Sequence, residues 1–315
     1  VTLAVALALA SLLLAFATPT LLEHRYMVTA PSTVLLATWA ASMVSFVVLL
    51  TSAVVVTAWP RHAPAEGVAE VLLSCLTRLT HAITPWIDDT IAFTGTAGLL
   101  VLTTLSARTV RKQVLHRRRV TENHADTVRI VGRRDALVDT VWLPHPVPLA
   151  YSIGGRGGFV VATDGLATHL SAREVVAVMA HERAHLTGMH HRILIVTTAL
   201  ARAFALVPLF ARAPAAVATL LELAADRAAI AETDAETVRS ALVRVAAFAS
   251  DTPAGSLALA GTALGERLAH LDSGRSHARR SRLWCAAAAA STFLVPVAAA
   301  GVGVFLATSG FCALF

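Results

Sequence analysis

Four stretches of this 315-residue chain, 1–22, 34–59, 90–107 and 283–309, contain no charged residue. As helices rising 1.5 Å per residue, all four approach or exceed the ~30 Å thickness of a bilayer's hydrocarbon core. A helix satisfies its own backbone N–H and C=O groups, so uncharged runs of this length are read as membrane spans. With 56% hydrophobic and 15% charged residues, the composition excludes an ordinary soluble domain. Segment 1–22 carries Ala15-Phe16-Ala17, which has the form of a signal cleavage site. It lacks the basic leading region of a secretory signal, so it is read as a retained span.

Basic residues set the orientation. Arg108, Arg111, Lys112, Arg117, Arg118, Arg119, Arg129, Arg133 and Arg134 face only Glu122 and Asp126 just after the third span, and Arg275, Arg279, Arg280 and Arg282 precede the last. Lysine and arginine accumulate on the cytoplasmic side. The expectation is a multi-pass protein of the cell membrane, with residues 108–282 cytoplasmic and both termini outside. No helix-turn-helix, zinc knuckle or aromatic-interleaved basic motif accompanies these arginines, so anionic lipid heads explain them and direct nucleic-acid binding is not expected.

Within 108–282 lies His181-Glu182-Arg183-Ala184-His185. Residues four apart stack on one helical face, so the two imidazoles can share one Zn2+ while Glu182 lies beside them as general base. Ser171, with Glu174 three residues later, forms a capping box that starts this helix. Two residues compete for the third ligand position. Glu222 is followed one helical turn later by Asp226, which is placed to accept the free N–H of a ligating histidine. His191, with Gly188, completes the longer HExxHxxGxxH pattern, but no methionine follows it to form the turn that pattern requires. Glu222 is therefore the preferred ligand.

The apolar stretch near 193–211 separates the two halves of this site. A single crossing there would put the histidines and Glu222 on opposite sides, and Arg202 near its centre opposes spanning. A returning hairpin is expected. Ahead of the active helix, Phe159, Val160 and Val161 read as a strand after the glycine-rich run Gly154–Gly158. That strand is either a candidate for pairing with extended substrate or a core strand. Segments 235–250 and 255–271 read as helices covering the site, and 66–83 as an amphipathic helix on the outer surface. Cys75, Cys285 and Cys312 offer no metal spacing.

The expected fold class is a mainly α integral membrane protein, with about four transmembrane helices and a cytoplasmic α+β zinc peptidase domain of the gluzincin kind. Its divisions are 1–107, 108–282 and 283–315.

Thr163-Asp164-Gly165-Leu166, Leu170–Val175, His181–Leu186 and His190-His191, with the spacing to Glu222 and Asp226, resemble the BlaR/MecR-type membrane metallopeptidases. That resemblance implies site-specific proteolysis in signal transduction, the substrate being a protein such as a BlaI-type repressor. No Ser-x-x-Lys acylation site follows the last span, so direct β-lactam sensing is not implied. The alternatives are a processing or quality-control peptidase resembling the HtpX or CAAX-processing membrane enzymes, which share the motif and a later Glu-x-x-x-Asp, and a non-catalytic membrane scaffold.

Overall fold

The computed structural model describes residues 2–22, 31–58, 85–135, 139–155, 157–249 and 264–271. The expected last span at 283–309, the outer helix at 66–83 and the beginning of 255–271 lie outside them.

The two N-terminal uncharged runs form helices α1 (Thr2–Leu21) and α2 (Ser32–Ala58). Their hydroxyls are absorbed internally: Ser42 Oγ donates to the Thr38 carbonyl at 2.7 Å and Thr38 Oγ1 to that of Val34 at 2.8 Å. Helix α3 (Pro85–Val131) contains the expected third span and continues unbroken through the arginine-rich stretch as far as Arg129, while Arg133 and Arg134 fall in the strand that follows. By length and composition, two helical segments among the described residues pass as membrane-crossing, Ser32–Val55 and Pro208–Glu232; Leu7–Leu21 is apolar but shorter.

Four strands follow: β1 (Arg133–Asp135), β2 (Thr140–Leu143), β3 (Ala150–Ile153) and β4 (Phe159–Thr163). They form one sheet in the order β1-β2-β4-β3, with β2 and β4 parallel and the other two pairings antiparallel. Side chains alternate between its faces. Val141, Ile153, Phe159 and Val161 pack on Ala125 and Val128 of α3, while Val160 and Ala162 face the opposite layer. That layer contains Leu166 of α4 (Asp164–His169), Met179 of α5 (Ala172–Thr187) and Ala241 of α8 (Ala235–Ala249).

The placement of β4 corrects one reading of Phe159, Val160 and Val161. These residues form an interior strand whose two edges are taken by β2 and β3, so no backbone edge remains for substrate. Their continuous apolar character reflects burial on both faces.

After α5 the helix breaks at Met189, the one non-glycine residue with positive φ (51°) among the described residues, and the chain enters α6 (His190–Ala203). Pro208 then disfavours a helical conformation at Val207, which is extended (φ −96°, ψ 112°), and occupies the first turn of α7 (Pro208–Glu232). The stretch 193–211 is thus a helix, a turn at 204–207 and a second helix. Along α7, Leu209, Phe210, Ala213, Val217, Leu220 and Leu221 share a core with Ala15 and Leu22 of the α1 segment and Trp39, Met43 and Phe46 of α2. Phe46 and Phe210 meet edge to face at 5.5 Å. The apolarity of Pro208–Glu232, which was not among the expected spans, has a packing origin as well: half of its most apolar window is buried in protein.

Candidate metal centre

Helix α5 is anchored at its start. Ser171 Oγ accepts from the Glu174 N–H, and Glu174 Oε2 accepts from the Ser171 N–H at 2.8 Å, a reciprocal capping box. The second Glu174 oxygen accepts from Ser240 Oγ at 2.6 Å, tying α5 to α8. Further along, Ala177 and Ala180 pack on Ala229 of α7 and Val238 of α8. These small side chains let α5 and α7 approach closely.

That approach carries Glu222 to the two histidines. His181 Nε2 lies 3.3 Å from one Glu222 oxygen, His185 Nε2 lies 3.5 Å from the other, and the two Nε2 atoms are 3.1 Å apart. Donors held ~2.0–2.1 Å from a tetrahedral zinc are ~3.3 Å from one another, so the spacing and chemistry of the set fit that ion. Among the described residues, His181, His185 and Glu222 form the group of three such donors, within 4.8 Å of one another. His191 is placed differently: its ring lies against Gly154, where any Cβ would collide with it. His191 lines the same cavity as His181 and His185 but is not among the three converging donors.

The outward nitrogens are also engaged. His181 Nδ1 is 2.9 Å from Asp226 Oδ1 on α7, and His185 Nδ1 is 2.9 Å from Nδ1 of His190. Sequence reasoning missed a further residue, Arg267, on the helical segment 264–271. Its Nε and Nη2 donate to the two Asp226 oxygens at 2.8 and 2.6 Å, and its Nη1 is 3.2 Å from Glu222. No local pattern marks it: it stands 41 residues from Asp226 and resembles any arginine of an amphipathic helix.

Electrostatics separate the neighbouring groups. Burial opposes a charge on His181, but hydrogen bonds to Asp226 and Glu222 outweigh it and hold this imidazole up to about 9. Burial above all, with the nearby positive charges, depresses His185 to about 4. Two facing Nε2 atoms at 3.1 Å cannot both carry protons, so the opposite directions are physically consistent. Glu182 is raised above the ordinary carboxylate range, chiefly by burial, against the His181 charge and a hydrogen bond with Ser152 of β3. These residues line a cavity of about 490 Å³, with Ala150, Tyr151 and Ser152 on one wall and Glu222, Asp226 and Arg267 on another.

A helix pair presenting two imidazoles and a carboxylate beside a half-buried glutamate belongs to the metallopeptidase class. The profile of peptidase family M48 matches residues 112–275, just over half of the 315 residues, and the chain belongs to that family. No curated protein and no solved structure matches it. The family found is M48, and the match does not extend to the BlaR/MecR type.

Proposed function

We propose that this chain is a membrane-embedded zinc endopeptidase in which His181, His185 and Glu222 hold the ion and Glu182 is the general base. The observation that carries this reading is the convergence of the two Nε2 atoms on the Glu222 carboxylate. When bound, zinc supplies Lewis acidity that polarises a water and the scissile carbonyl. Glu182 takes a proton from the attacking water and returns it to the leaving amine, and its raised pKa suits both transfers. Asp226 accepts the Nδ1 proton of His181, so Nε2 is the nitrogen that gives up its proton to bind metal. Substitution Glu182→Gln should leave zinc content unchanged and reduce peptide cleavage by roughly 10²–10⁴-fold. Undiminished cleavage by this variant at normal zinc content would refute the role.

Substrate is best served by β3, an edge of the sheet. The Leu149 carbonyl accepts from the Thr163 N–H at 3.0 Å, so Tyr151 and Ile153 turn their backbone groups toward β4. Ala150 and Ser152 then turn theirs away, beside Glu182, available to an extended polypeptide.

The packing of α7 on α1 and α2 supports a site at the membrane surface. Glu222 lies ~18 Å along α7 from Phe210 at 1.5 Å per residue. With α1, α2 and 90–107 as spans, α6 and α7 form a re-entrant hairpin whose turn exposes Leu206, 97% accessible, to lipid. The arginine asymmetry supports a cytoplasmic catalytic part. In a background lacking native cysteines, Arg118→Cys should resist an impermeant thiol reagent in intact cells, and labelling there would invert the topology. Such a site favours polypeptides tethered at the bilayer, in processing or quality control. The BlaR/MecR-like motifs support a second reading, regulatory cleavage of a cytoplasmic repressor of the BlaI type. Comparing membrane and cytosolic proteins that accumulate with Glu182→Gln separates the two.

A further inference from the structure

His190 has no part in the chemistry above, yet it is buried at 7% exposure with its ring edge-on to His185, centroids 4.8 Å apart and planes at 88°. We propose that His190 is a positioning residue that orients His185 for metal binding through a hydrogen bond between the two Nδ1 atoms. The inference rests on the zinc site proposed above.

A histidine that binds through Nε2 needs its lone pair there, so its proton must sit on Nδ1 and needs an acceptor. For His181 that acceptor is the Asp226 carboxylate. For His185 the group within reach is Nδ1 of His190, at 2.9 Å, and accepting there fixes the proton of His190 on its own Nε2. The two acceptors differ for a physical reason. Asp226 brings a buried negative charge that Arg267 must balance, whereas a neutral imidazole adds no charge to the interior.

The backbone is shaped around this ring. His190 follows His185 by five residues and would not share its helical face if α5 continued. The left-handed conformation of Met189 breaks the helix there, and the His190 ring that follows lies against His185 of α5. Gly188 makes room for it: a Cβ there would collide with the ring at Nε2 and Cδ2 and lie 3.0 Å from the Ala184 carbonyl. The glycine that superficially completes a metzincin pattern thus has a local steric role, seating His190.

The test measures zinc affinity of the purified full-length protein in detergent by competition with a chelator, using three replacements. In His190→Asn the amide oxygen takes the place of Nδ1 and still accepts from His185. In His190→Gln it takes the place of Nε2, near Gly188, and in the similarly sized His190→Leu no acceptor remains. Affinity close to wild type is expected for Asn, with a loss of roughly 10–100-fold for Gln and Leu. The Asn and Gln variants are equally polar, so their comparison holds even where Leu disturbs folding. Equal affinities for Asn and Gln would overturn the proposal. Wild-type protein that binds no zinc would instead overturn the metallopeptidase site itself.

Discussion

Removing the Arg267 side chain tests the closure of the site by the helical segment 264–271. The Asp226 side chain is 3% exposed and that of Arg267 16%, and they are joined by hydrogen bonds of 2.6 and 2.8 Å. Breaking a buried pair from one side costs ~3–5 kcal/mol, because the remaining charge stays buried without its partner. Asp226 keeps its bond to His181, which places Arg267→Met near the lower end, about 3 kcal/mol. For a unit of 150–250 residues that lowers the thermal midpoint by roughly 6–12 °C. The melt should be recorded in detergent with zinc chelated, so that bound metal does not mask the change. Adding Asp226→Leu removes the stranded charge and should recover most of the stability. The double variant should still bind zinc weakly, since His181 has lost its acceptor. A single variant melting within ~2 °C of wild type, less than about 1 kcal/mol, would refute the buried pairing.

Zinc per protein should fall sharply in Glu222→Ala and stay near wild type in His191→Ala, with Asp226→Ala between them. The reverse order would show a metzincin-like ligand set. Glu174 carries an acid-sensitive contribution. Burial alone would raise its carboxyl, but bonds from Ser240 and Ser171, with the charge of Arg244, hold it below the ordinary value. A depressed folded pKa stabilises the fold above the unfolded value of ~4.3 and is lost as pH falls through the folded value. Thermal midpoints of Glu174→Gln should therefore decline less than those of wild type as pH falls below ~4.3, and parallel acid limbs would contradict the assignment.

What neighbouring residues encode was legible without the fold. The capping box of Ser171 and Glu174 and the shared helical face of His181 and His185 depend on spacing over a few residues, and helices α1 and α2 on unbroken runs without charge. The break before α7 was marked by Pro208, although it had been expected only as part of a hairpin near 193–211. Between Glu222 and His191 the chain offered two candidates. Only the packing of α5 on α7 through alanines brings the Glu222 carboxylate within 3.5 Å of both histidines. Strand β4 carried the apolar pattern of a strand, but pattern alone does not reveal which neighbours pair with it. The sheet order made β4 interior and β3 the edge. His190 stood two residues from Gly188, and its meaning appeared only with the left-handed break at Met189 that sets its ring against His185. Arg267 lay beyond any local signal. Local hydrogen bonding and helical period act between adjacent turns, so sequence determines them directly. Edges and buried charge pairs arise where distant segments meet, and only the tertiary structure decides which groups are left to face one another.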